Sequence, residues 1–430
     1  MKKCSGVVSR SFRASRRTVA AGLVAVVAAA GLIAVGDVGT AGAAGNFYVP
    51  PSKYDATPGS VIRSQHTDLM LQIPGVKGQW PGTAKRIMYT STLQNGEPTA
   101  VTGIVVEPTA KWKGKGERPT LVIGHGTIGQ GDQCAGSKIM NFPLKVDVTK
   151  PSLGVNYTAP EMYLMLLNGV RVVLTDYAGM GTPGVHSFLN RVETGHAMLD
   201  AARAGLKVAK APKDAPVAFS GYSQGGGAAA SAAELAQTYA SDLNVKATYA
   251  GAPSADVSKV MNKLEGTLIA GAIGYVVNGL AARYPELAPV LKKELNKQGK
   301  RALHDTATQC IPDSILAFGF ARTNQWTRTG EPLASVIKRY PKVQKMVDDQ
   351  RIGSLKPNAP VLLSTAVNDD VVSTGQVVTL AKDWRKQGAD VTLTRDYTPP
   401  IFPGLVVNHG IPMVFKLLPA TNFLLTEFNR

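Results

Sequence analysis

Short apolar runs alternate with helix-patterned segments along most of this chain, and that alternation narrows the fold more than any single motif does. Thr120–Gly124, Val170–Thr175, Val217–Phe219, Ala247–Ala250 and Pro360–Val367 are short and largely apolar, as strands buried on both faces are. Between them Glu161–Asn168, Glu193–Val208, Gln224–Ala240 and Ser373–Lys386 carry helical patterns, and Asp390–Asp396 adds a last strand. Strand, helix and strand in repetition imply a parallel sheet covered by helices. Ahead of it, Asn46–Pro51 reads as an extended start. Lys85–Pro108 reads as two strands about Asn95-Gly96, a dipeptide that favours the tight turn of a hairpin. The expected class is α/β with a mostly parallel central sheet.

From about Ser254 to Leu355 the rhythm fails, and helical patterns follow one another without a strand-like run. The sequence therefore predicts a core in two parts, 44–253 and 355–430, interrupted by a helical cap insertion over 254–354. Within that insertion Gly266–Ala282 is almost wholly apolar. Asn278 and the glycines point to a buried cap helix rather than a membrane span.

At the N-terminus Lys2, Lys3, Arg10, Arg13, Arg16 and Arg17 precede an uncharged stretch, Thr18–Gly36, and Ala41-Gly42-Ala43 offers a cleavage site. A signal peptide over 1–43 is expected, by the general or the twin-arginine route, and with it a secreted protein of the extracellular space or cell envelope. Cleavage would leave Cys134 and Cys310, and two cysteines in an oxidising compartment imply one disulfide. The formal charge is +17, from 47 Lys and Arg against 30 Asp and Glu. No basic run interleaved with aromatics accompanies that excess, so no nucleic-acid partner is expected. A diffuse positive field suits a membrane or other lipid surface better.

Gly221-Tyr222-Ser223-Gln224-Gly225 stands where an apolar strand ends and an Ala-rich helix begins, the setting of a nucleophile elbow. A serine hydroxyl needs a base within reach. The histidines are His66, His125, His186, His196, His304 and His409. Where the nucleophile precedes the acid and the acid the base, only His304 and His409 are eligible. His304 falls inside the insertion, before the strand that would deliver the acid, which leaves His409. The acid should follow the strand ending near Val367, where Asn368-Asp369-Asp370 stands; Asp369 is the first choice and Asp370 the alternative. An oxyanion hole would take one N–H from Gln224 and one from Gly126 or Thr127 in Gly124-His125-Gly126-Thr127. His125 has no second ligand at a metal-site spacing and reads as a structural loop residue; this chemistry requires no metal or organic cofactor.

The elbow is accompanied by Phe47-Tyr48-Val49-Pro50-Pro51, by His125-Gly126-Thr127 through Asp132-Gln133-Cys134-Ala135, and by Asp176-Tyr177-Ala178-Gly179-Met180-Gly181-Thr182-Pro183-Gly184. Together these resemble the secretory lipase family of α/β-hydrolases, the string from Asp176 to Gly184 being more specific than the elbow. The resemblance implies an α/β-hydrolase fold with a helical cap and a triad of Ser223, Asp369 and His409. It also implies a Cys134–Cys310 disulfide and activity on lipid or other carboxylic esters, triacylglycerols included. The chain departs from the family pattern in reading Cys134-Ala135-Gly136-Ser137 where a proline is usual at the third place. A triad is indifferent to acyl oxygen or nitrogen, so a secreted peptidase or amidase is an alternative, as is a non-catalytic envelope-binding protein.

Overall fold

The computed structural model describes residues 47–69, 80–140, 144–147 and 152–430, so the expected leader over 1–43 lies outside the described residues. Nine strands form one sheet: β1 (Val61–Thr67), β2 (Gly82–Thr92), β3 (Pro98–Pro108), β4 (Thr120–Gly124), β7 (Arg171–Thr175), β8 (Val217–Tyr222), β9 (Val245–Gly251), β10 (Val361–Ala366) and β11 (Val391–Asp396). Their order across the sheet is β1-β2-β3-β7-β4-β8-β9-β10-β11. The run from β1 to β7 is antiparallel, and from β7 to β11 every pair is parallel. A separate hairpin joins β5 (Leu144–Asp147) to β6 (Ser152–Val155).

Helices cover both faces. On one lie α1 (Ala159–Leu167) and the C-terminal α13 (Leu417–Phe428); on the other lie α2 (Arg191–Ala209), α3 (Gln224–Tyr239) and α11 (Thr374–Lys386). Met162, Met165, Leu166, Leu424 and Phe428 pack with Leu121, Ile123, Val172 and Leu174. Across the sheet, Ala197, Ala201, Ala228, Ala229 and Ala232 pack with Val122, Val173 and Phe219. Small side chains there let α2 and α3 approach the sheet closely. Each large apolar side chain so buried contributes about 1.5–3 kcal/mol. Because β4, β7 and β10 are covered on both sides, every residue in them is buried, which is why they read as continuous apolar runs.

Between β9 and β10 come seven helices: α4 (Val257–Leu264), α5 (Ala272–Arg283), α6 (Leu287–Glu294), α7 (Lys297–Thr306), α8 (Ile311–Phe318), α9 (Leu333–Lys338) and α10 (Pro341–Asp348). The apolar stretch becomes α5, with Ala272, Ile273, Tyr275, Val276, Val277 and Leu280 all buried. Asn278 satisfies its amide on Gln130 Oε1 (3.1 Å) and the Leu303 carbonyl (2.8 Å). Among the described residues no helix is long and apolar enough to cross a membrane.

Local differences from the sequence reading have local causes. Phe47–Val49 turn rather than extend, and Tyr48 OH meets Ser137 Oγ at 2.9 Å. The Val217–Phe219 run continues to Tyr222 because β4 and β9 pair with it on both sides and carry Ser220 and Gly221 along. Beyond the last expected strand the chain closes on two helices: α12 (Val407–Phe415), which contains Pro412, and then α13.

Candidate active site

The ends of β4, β8 and β9 are level, Gly124 facing Gly221 and Tyr222 facing Gly251, so the loops that follow them leave from the same edge of the sheet. Ser223 is the single residue between β8 and α3, with φ 61° and ψ −117°. A non-glycine residue in such a conformation costs of order 1–3 kcal/mol and persists only when its surroundings hold it. Here Ser223 N–H donates to the Gly251 carbonyl (2.8 Å), and Gly227 N–H donates to the Ser223 carbonyl (2.9 Å). The flanking glycines are required by close approach: a Cβ on Gly221 would lie 2.2 Å from the Gly225 carbonyl oxygen, and one on Gly225 2.0 Å from that of Gly124. Their bareness lets α3 close onto β4 and sets Gly124–Thr127 alongside the serine.

His409 stands in the first turn of α12, which follows the loop after β11. Its Nδ1 lies 2.9 Å from Asp369 Oδ2 and 3.1 Å from Oδ1, with both side chains almost wholly buried. Asp369 Oδ1 also accepts from Val371 N–H (2.8 Å) and Val372 N–H (2.7 Å). The neighbouring Asp370 faces elsewhere. Its Oδ2 accepts from Gly404 N–H (3.0 Å) and Val406 N–H (2.8 Å), and its Oδ1 from His409 N–H (3.2 Å). One carboxylate therefore holds the imidazole and the next holds the backbone that carries it. Tyr222 OH adds a bond to the His409 carbonyl (2.7 Å). With Nδ1–H donated to Asp369, the lone pair of a neutral imidazole is on Nε2. That atom makes no hydrogen bond among the described residues, and none joins it to Ser223 Oγ in this conformation.

The other histidines are dispersed. His304 is exposed beside Asp305 (3.2 Å), and His66 is exposed near Asp68 (3.7 Å). His196 stacks on Tyr239 at 3.6 Å and meets the Thr92 carbonyl at 3.0 Å.

Gln224 opens α3, so its N–H has no intrahelical acceptor and stands beside Ser223. Its buried side chain reaches His186 Nε2 at 2.8 Å, and His186 Nδ1 meets the Ala178 carbonyl at 3.2 Å. Burial pushes His186 down to about 3, so the ring is neutral, Nδ1–H donates to Ala178 and Nε2 accepts from the Gln224 amide. Burial lowers His125 as well; its Nδ1 lies 2.9 Å from the Gly126 carbonyl. Tyr177 OH donates to the His125 carbonyl (2.9 Å) and Tyr157 OH to that of Thr127 (3.0 Å). Both candidate donors, Gly126 and Thr127, lie in this braced loop.

A disulfide joins Cys134 to Cys310 with a Cα–Cα distance of 5.5 Å, tying the loop after β4 to the start of α8. Gln130 N–H bonds the Gln309 carbonyl (3.0 Å) and Ile311 N–H the Ile128 carbonyl (2.9 Å) along the same seam. The Asp176 string braces this loop from below: Asp176 accepts from Ser137 N–H (2.8 Å) and Thr102 Oγ1 (2.6 Å), and Asp132 Oδ1 from Gly181 N–H (3.0 Å). Sequence reasoning missed the parts played by Asp176, His186 and Asp370. Only the adjacency of two acids hinted at the last. Among the described residues no group of three or more His, Cys, Asp or Glu could hold a metal ion.

Comparison with known proteins gives one consistent picture. The Secretory lipase family model matches residues 145–415. A Mycobacterium tuberculosis protein named "Probable inactive lipase" is 31% identical over 361 residues, 81% of this chain and 76% of its own. A secreted triacylglycerol lipase of Malassezia restricta is 29% identical over 388 residues, 88% of this chain and 77% of its own. Candida antarctica lipase A superposes with a TM-score of 0.73 at 21% identity, over 86% of this chain and 82% of that one. The rice cell wall degrading esterase LipA of Xanthomonas oryzae does so at 0.70 and 18%, over 86% and 99%. Those two likenesses establish the α/β-hydrolase fold, and the family model with its sequence relatives establishes that this chain belongs to the secretory lipase family.

Proposed function

We propose that the protein hydrolyses carboxylic esters, acyl lipids among them, through an acyl-enzyme on Ser223. The observation that carries this reading is His409 Nδ1 held by both oxygens of Asp369 with Nε2 unengaged, on the same sheet edge as a serine in a strained strand-to-helix turn. Ser223 Oγ attacks the acyl carbon and His409 Nε2 takes its proton. The tetrahedral oxyanion is met by Gln224 N–H and by Gly126 or Thr127 N–H, and His409 returns the proton to the departing alcohol oxygen. Water activated by the same imidazole then cleaves the acyl-enzyme. Asp369 fixes the tautomer and stabilises the imidazolium.

The test is turnover of a p-nitrophenyl ester series from short to long acyl chains, beside Ser223→Ala. Wild-type activity that falls by roughly four or more powers of ten in the variant is expected. The name borne by the M. tuberculosis relative favours one second reading, a non-catalytic protein on this scaffold. Folded protein inert on every ester and on amide substrates as well would select it.

The insertion over 254–354 we read as the cap that covers this edge of the sheet, and the segment 1–43 as a leader removed on export, in line with the relatives named as secreted. N-terminal sequencing of protein recovered outside the cell should begin at Ala44; an intact Met1 in that fraction would refute removal.

A further inference from the structure

A cavity of about 120 Å³ is lined by segments adjoining the candidate triad, and the mechanism above does not use it. Its wall includes Gly126 from the loop after β4 and Tyr222, the residue before Ser223. It continues along Met413, one helical turn beyond His409 on the same face of α12, and Leu417 at the start of α13. The cavity therefore begins at the segments that carry the nucleophile, the base and one candidate oxyanion donor.

The lining is apolar but for a few polar groups, and nearly all of these are engaged elsewhere. Tyr157 OH is donated to the Thr127 carbonyl, Tyr222 OH to that of His409, Tyr249 OH pairs with Ser364 Oγ (2.9 Å), and Thr158 Oγ1 bonds Asn156 (3.0 Å). The remaining one is Glu161, in the first turn of α1 and the single charged residue of the lining. Its Oε1 accepts from Ser220 Oγ, while Oε2 makes no hydrogen bond among the described residues. An oxygen of a partly buried carboxyl that lines an apolar cavity without a protein partner calls for a donor from a ligand or water. Burial raises this carboxyl to about 7.

What enters must bring a hydrogen-bond donor and little else. His409 returns its proton to the leaving oxygen, so the alcohol part of a bound ester lies on the His409 side, where the cavity starts. Cavities of about 150 Å³ take a benzene-sized guest, so this one suits a three- to six-carbon alcohol and has no room for a second acyl chain. We propose that the cavity binds the alcohol part of a partial glyceride, monoacylglycerol in the first instance, with Glu161 Oε2 accepting from a free glycerol hydroxyl. The proposal rests on the ester-hydrolase reading above and narrows it.

The experiment compares kcat/KM for 1-monooctanoylglycerol and propyl octanoate, which share the acyl chain and the three-carbon alcohol and differ in two hydroxyls. Wild type should favour the glyceryl ester. Glu161→Leu should reduce that preference at least ten-fold, and Glu161→Gln, whose amide oxygen still accepts, should keep most of it. A purely structural Glu161 would lower both substrates in equal proportion, and an unchanged ratio in Glu161→Leu overturns the proposal. Should that variant fail to fold by circular dichroism, Ala420→Leu, which narrows the same cavity, must depress the glyceryl ester more than methyl octanoate, whose one-carbon alcohol does not need the cavity; equal effects again overturn it. If wild type turns over neither these nor p-nitrophenyl octanoate, the ester-hydrolase reading is what fails. Calorimetry with non-hydrolysable 1-O-hexylglycerol then decides the cavity by itself: binding weakened ten-fold or more by the Leu variant supports the assignment, and equal or absent binding refutes it.

Discussion

At the scale of single residues, Asp369 and Asp370 are neighbours with nothing in common but their chemistry. Asp369 lies against the His409 ring, whereas Asp370 gathers three backbone N–H groups of the loop that carries it. Asp369→Asn should leave the fold nearly intact and lower kcat by about four powers of ten, by presenting the imidazole with a donor and favouring the wrong tautomer. Asp370→Ala strands three donors and should cost about 2–3 kcal/mol of stability, with a fall in kcat of one to two powers of ten as His409 loosens. Paired ester kinetics and urea unfolding separate the two. Equal losses of turnover in Asp369→Asn and Asp370→Asn would defeat the assignment.

At the scale of elements, the seven helices between β9 and β10 are joined to the core at defined seams. Arg283 of α5 pairs with the buried Glu193 of α2, its Nε 2.7 Å from Oε1. Gln130 bonds the carbonyls of His186 (2.8 Å) and Tyr275 (3.0 Å), bridging the loop after β4 to α5. The covalent seam is Cys134–Cys310, which closes 176 residues of chain. Removing a bond across so long a loop should cost about 2–5 kcal/mol. Cys134→Ser/Cys310→Ser is therefore expected to melt well below the wild type. The gap should vanish when the wild type is measured in reductant, and a gap that survives reduction would show that the serines, not the lost bond, destabilise.

At the scale of the whole molecule, buried acids and buried histidines pull the pH response in opposite directions. Burial raises Glu161 to about 7 from 4.5 and Asp200 to about 6 from 3.8. An acid raised in the folded state binds its proton more tightly there than in the unfolded chain. Its contribution is full below the unfolded value and is lost as pH rises through the folded one. Between about pH 4.5 and 7 Glu161 should therefore contribute a decline of up to roughly 3 kcal/mol in unfolding free energy, set against the rise that the lowered His186, His125 and His196 contribute as the unfolded histidines lose their protons. Glu161→Gln should make the slope of stability against pH more positive in denaturant titrations over this interval. An identical slope in the variant would remove Glu161 from the account.

The sequence determined the α/β class, since apolar runs buried on both faces and helices of 3.6-residue period are local patterns that admit few other packings. It also singled out Ser223 at a strand-to-helix junction and, through chain order, His409. Other matters it left open, because they depend on where side chains point after residues far apart in the chain have met. Which of two adjacent aspartates faces the ring was decided when the loop after β11 laid its N–H groups against Asp370. That Glu161 would line an apolar cavity with one oxygen unpaired was decided by α1 and α13 closing over the sheet edge. Pattern fixes which residues must be buried; the directions of their polar atoms follow only from the tertiary packing that satisfies them or leaves them unpaired.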